Sequence, residues 1–541
     1  PGHGDVRCEG GQAARFRGIV AQTLIQKNSW RPWRFNIFLM RTIRHYVDLR
    51  AREQPDAPYL IAPETGATLS YAQLQHDSRE LGRYLLGLGL NKGDKVALML
   101  HNGYQTGRLL IGVMYAGFMA APLNLLAQPS QLAYVLDHSD TQVVFTGAEF
   151  AARLNEALTG IRRKIIVVVI DPDATTIFDS AALRDIPLPD VAEDDDALLM
   201  YTSGTTGKPK GCVLSNKSVC AGGEYTSHAH QLGVQDRVLC ALPLYHINGQ
   251  IVTAVAPLVH GGSVLMPHRF SVSNYWELAA RYQCTWINVV PTLIAYLLNA
   301  PHPRASGLDI SRVKFCRSAS APLPPELHKA FEEKFGISVI ETFGMTETNA
   351  PCFTNPYDRK KRKIGSPGTA FGNEAKVIDP ATGSMQPPGV AGEIMVRGDN
   401  VMTAYYKDPD NTRKTLEPDG WMHTGDIGYL DQDGFVFVTG RIKELIIKGG
   451  ENIAPREIDE ALLRHPAVLE AAAVGIPDAN YGQEIMACVV LKEGAQCTIG
   501  ELMSFSQNEL GKYKTPKVIK LVDTLPKGPS GKVQRLKLLE S

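Results

Sequence analysis

The stretch YTSGTTGKPKG, residues 201–211, gathers hydroxyl residues, glycines and two lysines in one short window. Glycines let successive backbone N–H groups point to one side of a loop, and such a concave surface attracts anions. The lysines add positive charge, and the Ser and Thr hydroxyls add hydrogen-bond donors. The loop therefore favours a polyphosphate ligand, with these candidate binding residues: Thr202, Ser203, Gly204, Thr205, Thr206, Gly207, Lys208 and Lys210.

The loop is not a Walker A loop. Two residues separate Gly204 from Gly207, where a Walker A loop has four, and Pro209 follows Lys208 in place of a Ser or Thr. Proline lacks an N–H and pushes the preceding residue out of the α region, so no P-loop helix can begin here. Short apolar runs on both sides predict two strands, which this loop connects: ALLMY and GCVLS.

Length and composition indicate a globular protein with more than one domain. The chain has 541 residues, whereas single hydrophobic cores stop growing at roughly 250 to 300 residues. Lys plus Arg and Asp plus Glu each number 56, without a long basic run, which argues against a nucleic-acid partner. Nine scattered cysteines without a CxxC pair indicate neither a zinc knuckle nor a disulfide framework, and they fit a reducing compartment. No apolar run approaches the roughly 18 residues of a membrane span, so we expect a cytoplasmic protein with no transmembrane segment.

The pattern along the chain predicts an α/β fold with two domains. Residues 40–440 alternate amphipathic helices with short apolar strands, which indicates a large multi-layer domain with parallel-rich sheets. Short strands separated by Gly, Pro and Asp turns indicate a β-rich subdomain at about 370–440. Residues 441–541 read helix, strand, strand, helix, strand, which predicts a small α+β C-terminal domain. Residues 1–39 are an Arg-rich, acid-poor N-terminal extension, and a transit peptide, a native extension and an artefact preceding a start near Met40 all stay open.

From residue 42 onward the sequence resembles the adenylate-forming superfamily, which includes acyl- and aryl-CoA ligases, adenylation domains of peptide synthetases and firefly-type luciferases. The 201–211 loop matches its phosphate-binding signature. Further motifs follow in the same order: ETFGMTE at 341–347, HTGD at 423–426, GRIKE at 440–444 and LPKGPSGKVQR at 525–535. The resemblance implies ATP, Mg²⁺ and coenzyme A as the reaction's small molecules, and a C-terminal domain that moves.

The resemblance also implies the roles of individual residues. Phe343 would stack on the adenine, Glu347 would hold Mg²⁺, and Asp426 would accept the ribose hydroxyls. Arg441 would reach the ribose and phosphates, and Lys443 would be the hinge between domains. The implied nucleotide site further contains Ser318, Ala319, Ser320, Thr342, Gly344, Met345, Thr346 and Lys532. The implied catalytic set is Lys532, His246, Thr202 and Glu347, in which Lys532 bridges the acid carboxylate and the α-phosphate.

Coenzyme A is the expected acceptor. The window LPLYHINGQ, residues 242–250, lacks the Asp with which amino-acid-activating members pair an α-amine, and an unpaired ammonium in a buried pocket would be costly. His246 resembles the residue that guards the carboxylate site in CoA ligases. Lys448, Gly449 and Gly450 resemble the segment that lines the pantetheine tunnel. The alternatives are a carrier-protein or luciferase-like acceptor, or a non-catalytic nucleotide-binding protein.

The acid itself is poorly specified by the sequence. The predicted pocket mixes apolar and polar residues: His246, Asn248, Val289, Val290, Ser318 and Phe343. Such a mixture is compatible with a medium acyl chain, an aromatic acid or a small polar acid, and local resemblance leans toward carnitine- or crotonobetaine-type ligases. A monomer and a homodimer are both compatible with the sequence.

Overall fold

Four β-sheets organise the chain in the computed structural model, which describes residues 1–2, 41–177, 183–202, 208–528 and 533–540. The strands are β1 Pro58–Ile61, β2 Thr68–Ser70, β3 Lys95–Met99, β4 Met119–Pro122, β5 Thr141–Thr146, β6 Ile166–Val169, β7 Asp196–Thr202, β8 Lys210–Ser215, β9 Arg237–Cys240, β10 Ser263–Leu265, β11 Trp286–Val289, β12 Phe315–Ser318, β13 Ser338–Met345, β14 Ala350–Thr354, β15 Thr369–Ala370, β16 Glu374–Ile378, β17 Gly392–Arg397, β18 Ala404–Tyr405, β19 Met422–Leu430, β20 Val436–Arg441, β21 Ile446–Lys448, β22 Glu451–Ile453, β23 Val468–Asp478, β24 Gly482–Leu491 and β25 Val518–Leu521.

Helices connect most of the parallel strands. The α-helices are α1 Ile43–Glu53, α2 Tyr71–Gly87, α3 Tyr104–Tyr115, α4 Pro129–His138, α5 Ala148–Leu158, α6 Asn216–Ala229, α7 Ala256–His260, α8 Tyr275–Arg281, α9 Pro291–Asn299, α10 Pro325–Phe335, α11 Pro409–Thr415, α12 Pro455–Leu463 and α13 Ile499–Lys514. A π-helix, Asn248–Val255, precedes α7. Short 3-10 turns lie at Pro303–Ser306, Thr346–Thr348, Arg359–Lys361, Ile442–Glu444 and Arg535–Leu539.

Two large sheets confirm the predicted α/β fold. One has nine strands in the order β15-β14-β13-β12-β11-β9-β10-β1-β2, and the strands from β13 to β1 pair in parallel. The other has seven strands in the order β18-β8-β7-β4-β3-β5-β6, with antiparallel pairing only of β8 with its two neighbours. The carboxyl ends of parallel strands meet at one edge of a sheet, where open α/β folds bind ligands.

The two smaller sheets follow the change of pattern in the sequence. A four-stranded antiparallel sheet, β16-β17-β19-β20, spans residues 374–441. A five-stranded sheet contains β22-β21-β24-β23, with β25 parallel to β24. From Arg41 onward the chain forms one compact unit, so the domain boundary near Arg441 stays a prediction. No helix in the described ranges combines the length and the apolar character needed to cross a membrane.

Local sequence signals account for several element boundaries. Ser70 caps α2, because its hydroxyl accepts a hydrogen bond from the Gln73 N–H at 3.2 Å. Thr498 and Glu501 form a reciprocal capping box at the start of α13. Gly344 allows β13 to approach β14 closely, since a Cβ there would lie 2.2 Å from the carbonyl oxygen of Ala350. Asp426, the last residue of the HTGD motif, lies inside strand β19.

Candidate active site

A cavity of about 310 Å³ lies where the strand ends of three sheets meet helix α12. One part of the lining, here called the first wall, carries predicted nucleotide residues from the end of β12 and from β13, β19 and β20, and a second part carries residues from the last hundred positions of the chain. The first wall includes Ser320, Thr342, Phe343, Gly344, Asp426 and Arg441, and the second includes Arg456, Glu460, Lys527, Val533 and Arg535. The structure therefore brings together six of the predicted site residues.

Asp426 and Arg441 form an ion pair across two neighbouring strands. Their positions are directly opposite in the β19–β20 register, and Arg441 Nε donates to Asp426 Oδ1 at 2.8 Å. A second, longer contact joins Arg441 Nη2 to Oδ2 at 3.5 Å. The Asp426 carboxylate raises the pKa of Arg441 further above its usual value. Strand pairing thus fixes a carboxylate and a guanidinium side by side at the cavity wall.

Glu347 lies in a second cluster with Tyr405 and Lys210. The Tyr405 hydroxyl donates to Glu347 Oε1 at 2.8 Å, and the Lys210 ammonium lies 3.8 Å from the centroid of the Tyr405 ring. Burial lowers the pKa of Lys210, while Glu347 opposes this shift and Lys443 adds to it. Thr202 is opposite Lys210 in the β7–β8 register, so both ends of the phosphate loop begin beside this cluster.

One carboxylate is the protein's contribution to the predicted metal site. No group of three or more His, Cys, Asp and Glu side chains within the described part of the chain is arranged to hold a metal ion. Mg²⁺ in nucleotide sites is commonly held by one or two carboxylates together with substrate phosphates, so a single buried Glu347 fits this ion.

Two buried hydroxyls near the cavity wall have no hydrogen-bond partner among the described residues: Ser318 Oγ and Thr342 Oγ1. Buried polar groups are normally paired, so these hydroxyls are candidates for contact with a ligand. The side chain of Phe343 packs edge-on against Phe353, with ring centroids 5.8 Å apart. That contact fixes the orientation of Phe343 at the cavity wall.

A polar cluster occupies the predicted acid pocket. Asn248 Nδ2 donates to Ser320 Oγ at 3.0 Å, and Asn288 Nδ2 donates to Asn248 Oδ1 at 3.1 Å. Arg317 donates through Nη1 to Asn248 Oδ1 at 2.7 Å and to Asn288 Oδ1 at 3.0 Å. Ser320 is held in the left-handed region, with φ of 72°, where β12 has ended. The four side chains, here called the Arg317 cluster, connect the interior of the nine-stranded sheet to the cavity.

The remaining acid-pocket residues lie around this cluster. Val289 and Val290 are buried at the carboxyl end of β11 and its exit. His246 is two residues before Asn248, and its ring lies against Tyr245 with centroids 4.7 Å apart. The main-chain N–H of Ala319 bonds to the Val289 carbonyl at 3.4 Å, which holds the 317–322 turn against β11.

Several predicted residues lie away from the cavity. Lys448 is buried and pairs with Glu484 at 2.9 Å, while its ammonium also donates to the Tyr513 carbonyl at 2.7 Å. Gly449 and Gly450 follow with φ of 57° and 86°. Lys208 lies over the ring of Tyr134, 5.6 Å from its centroid. Met345 and Thr346 form the end of β13 and the turn after it. Six predicted residues lie outside the described ranges: Ser203, Gly204, Thr205, Thr206, Gly207 and Lys532.

Three notable side chains escaped the sequence interpretation. Tyr405 contacts Glu347 from 58 positions further along the chain, so no local signal marks it. Glu341 lines the cavity from within the ETFGMTE motif, where burial raises the pKa of its carboxyl group. Arg317 belongs to the RSASAP segment, residues 317–322, which the sequence interpretation expects at the acid pocket, but neither its charge nor its partners were singled out; a charged residue in an otherwise apolar strand, FCRS, was the available signal.

Comparisons with known proteins found relatives along most of the chain. The AMP-binding enzyme family model matches residues 47–406, and the AMP-binding enzyme C-terminal domain model matches residues 457–532. A sulfoacetate–CoA ligase of Cupriavidus necator is 55% identical over 92% of this chain and 97% of that protein. An oxalate–CoA ligase of Arabidopsis thaliana is 34% identical over 86% of this chain and 92% of that protein. ATP-bound MatB from Rhodopseudomonas palustris has 31% identity and a TM-score of 0.84, covering 91% of this chain and 98% of that one.

The chain belongs to the AMP-binding enzyme family. It is an AMP-forming acid–thiol ligase, which activates a carboxylic acid as an acyl-adenylate and transfers the acyl group to coenzyme A. ATP with Mg²⁺ and coenzyme A are its co-substrates. These findings confirm the fold, the enzyme class and the small molecules expected from the sequence.

Proposed function

We propose that the acid is a short carboxylate with a second anionic group, and that sulfoacetate is the first candidate. The observation that carries this proposal is the 55% identity to a sulfoacetate–CoA ligase along nearly its whole length. The charge of the predicted pocket agrees with it, because Arg317 is buried there without an acidic partner among the described residues. A buried cation would repel the trimethylammonium group of a betaine, and a long acyl chain would leave it unpaired.

The nucleotide would lie along the first cavity wall. In this arrangement Phe343 stacks on the adenine, Asp426 accepts the ribose hydroxyls, and Arg441 reaches the ribose and phosphates. The 201–211 loop, with the Ser318–Ser320 turn and the 342–346 segment, surrounds the phosphates. Glu347 would hold Mg²⁺, which neutralises the phosphate charge. The ion pair between Asp426 and Arg441 supports these roles, because it places a hydrogen-bond acceptor and a cation next to each other.

Lys532 would act in the first half-reaction. A carboxylate oxygen attacks the α-phosphorus and pyrophosphate leaves, so negative charge collects between two anions. A cation aimed at that charge stabilises the transition state. Lys527 and Val533, on either side of Lys532 in the sequence, both line the cavity, which supports its placement there. Thr202 and Lys210 would assist from the phosphate-loop side.

The second half-reaction would require the C-terminal residues 441–541 to move about Lys443. The thiol of coenzyme A then attacks the acyl carbonyl, the bond to AMP breaks, and AMP leaves. In this step His246 would move aside for the thiol, and the 448–450 segment would line the tunnel. Lys448 is paired with Glu484 in the present arrangement, so we assign it the role of shaping the tunnel and not of contacting the thiol. We keep a cytoplasmic location and a monomer or homodimer as predictions.

ATP–pyrophosphate exchange tests the proposed acid. The panel should contain sulfoacetate, malonate and oxalate as dianions, propionate and octanoate as monoanions, an aryl acid and carnitine. We expect exchange with sulfoacetate to exceed exchange with each monoanion by about tenfold or more. Addition of coenzyme A should then release AMP. Faster exchange with octanoate, the aryl acid or carnitine would contradict the proposed acid while leaving the ligase class intact.

A further inference from the structure

Among the described residues, Arg317 is the most deeply buried arginine, and its hydrogen bonds there reach only neutral groups. Its side chain is 2% exposed, and both of its hydrogen bonds to described residues leave from Nη1. The Nε–H group is fully buried and donates to no described residue. Burial lowers the pKa of Arg317 to about 9, which leaves the guanidinium protonated at neutral pH.

Other buried or half-buried arginines of the described chain satisfy their charge differently. Arg108 pairs with Asp77 at 2.8 Å, and Arg535 pairs with Asp459. Arg362 donates to three backbone carbonyls through Nε and both terminal nitrogens. A guanidinium has five N–H donors, and leaving part of it unsatisfied in a dry interior is costly. Arg317 therefore carries a charge and donors that the folded chain itself does not use.

The unused donors are close to the acid pocket. Arg317 and Asn288 are opposite each other in the β11–β12 register, near the carboxyl ends of both strands. Asn248 connects them to Ser320, whose hydroxyl lies at the cavity wall. Two amide oxygens accept from Arg317 and orient its guanidinium, but neither neutralises it. The cluster thus carries an uncompensated positive charge one side chain away from the cavity.

We propose that Arg317 determines acid specificity by binding the second anionic group of the substrate, at the end opposite the carboxylate that is adenylated. This inference rests on the proposed function and assigns its selectivity to one residue. Asn248 and Asn288 are positioning residues, because their amide oxygens accept from the guanidinium, and Ser320 completes the lining around the anion. A sulfonate suits this site, since its three oxygens accept from a guanidinium edge and from a neighbouring hydroxyl.

The same charge explains rejection of uncharged analogues. A substrate that lacks the second anion would enter the pocket and leave the guanidinium unpaired. Sites built to hydrogen-bond a substrate group discriminate strongly against analogues that lack it. Charge-assisted hydrogen bonds are about twice as strong as neutral ones. We therefore expect the selectivity to reside mainly in KM for the acid.

The test compares sulfoacetate with methylsulfonylacetate, which has a similar shape but a neutral sulfone. The enzyme is measured with each acid as wild type, Arg317→Met and Arg317→Lys. In Arg317→Met we expect kcat/KM for sulfoacetate to fall about 100-fold, mostly through KM, and kcat/KM for methylsulfonylacetate to change less than about threefold. Arg317→Lys should restore part of the preference, because it keeps the charge without the planar fork.

Arg237→Met provides the matched control. Arg237 lies at the start of β9 in the same sheet, where it bonds to Ser263 Oγ at 2.9 Å and to the Tyr282 carbonyl at 2.5 Å. Its loss should lower the melting temperature without changing the ratio of the two acids. A second readout needs no turnover: with α,β-methylene-ATP, which cannot release pyrophosphate, sulfoacetate should raise the melting temperature of the wild type but not that of Arg317→Met.

The outcomes separate this inference from the proposed acid. If wild type uses sulfoacetate and Arg317→Met keeps the same ratio, or loses both acids equally, the assignment of Arg317 is wrong and the proposed acid stands. If wild type rejects sulfoacetate but uses malonate, the same test with malonate and monomethyl malonate decides the role of Arg317. A wild-type enzyme that prefers methylsulfonylacetate to sulfoacetate, and monomethyl malonate to malonate, would overturn both the role of Arg317 and the proposed acid.

Discussion

Two regions at and beside the cavity, the predicted nucleotide site and the predicted acid pocket, differ in how their positive charge is balanced. On the nucleotide side Arg441 lies against Asp426, and this carboxylate raises its pKa. On the acid side the hydrogen bonds of Arg317 to described residues reach only two amide oxygens, and burial lowers its pKa. The protein itself therefore supplies a counter-charge for Arg441. No described residue supplies one for Arg317, so a bound anion would have to do so.

The difference in charge balance between the two regions matches the charges of the two ligands, ATP and the acid. ATP brings several negative charges and a metal ion. A site whose cation already has a carboxylate of the protein beside it can therefore bind ATP and release it again. A small acid brings few atoms, and a single uncompensated guanidinium can supply most of its discrimination. The contrast predicts that changes on the nucleotide side affect every acid equally, while changes at Arg317 affect acids according to their second charge.

Loss of Lys532 should give the largest effect and should not depend on the acid. We expect Lys532→Ala to slow adenylation about 1,000-fold with both sulfoacetate and methylsulfonylacetate, because it removes a charge from the transition state. Single-turnover measurement of each half-reaction checks this. Thioester formation from supplied acyl-adenylate should remain largely intact, and an equal loss of both half-reactions would refute the role of Lys532.

The next largest effect should come from removing the counter-charge of Arg441, so that this arginine, like Arg317, has no acidic partner. Asp426→Asn removes the counter-charge of Arg441 and one acceptor for the ribose, so KM for ATP should rise about 10- to 100-fold, whichever acid is used. Steady-state kinetics with varied ATP measure this. Asp431→Asn is the control, since Asp431 lies beyond the end of the same strand and pairs with Lys363 at 2.5 Å. A KM for ATP that Asp426→Asn leaves unchanged would rule out the ribose contact.

The hinge should affect the second half-reaction alone. Lys443→Pro fixes one backbone angle in the Ile442–Glu444 turn between β20 and β21, so we expect thioester formation to slow about tenfold while adenylation stays near normal. Pre-steady-state formation of acyl-adenylate and of thioester separates the two steps. Equal rates of both steps in the variant and in wild type would exclude a hinge at this residue.

The smallest effect should follow loss of the Tyr405 hydroxyl. Tyr405→Phe removes one hydrogen bond to Glu347, worth about 1 kcal/mol, so kcat/KM should fall about fivefold and the Mg²⁺ requirement should rise. Mg²⁺ titration of the exchange reaction measures the change. Tyr406→Phe is the matched control, because the Tyr406 hydroxyl donates to Asp140 at 2.8 Å. An identical Mg²⁺ titration for the two variants would argue against Glu347 as the metal ligand.

Sequence reasoning recovered most of the fold because its signals are local. Strands such as TQVVFTG and helices such as YAQLQHDSRELGRYLL carry their periodicity within a few turns. The C-terminal order of helix, strand, strand, helix, strand is likewise present, as α12, β23, β24, α13 and β25. The hairpin β21–β22 was missed, because its glycines and short length resemble a loop.

Candidate residues for the nucleotide side could be chosen from the sequence for a similar reason, since ETFGMTE, HTGD and GRIKE each place several of them in one short motif. The acid side could not be predicted from one short motif. Arg317 acquires its meaning only when β11, β12 and the π-helix place Asn288 and Asn248 around it. Sequence shows an arginine in an apolar strand, but not which partners it lacks. Lys448 is the opposite case, because it has an acidic partner, Glu484. That partner comes from strand β24 and could not be predicted from the sequence around Lys448.

A crystal structure with a stable analogue of sulfoacetyl-adenylate would test the central claim most directly. We predict that sulfonate oxygens lie within hydrogen-bond distance of the Arg317 guanidinium, with Asn248 and Ser320 beside them and the adenosine against Asp426 and Phe343. A sulfonate bound elsewhere, with Arg317 still bonded only to Asn248 and Asn288, would contradict the assignment of Arg317 as the specificity-determining residue.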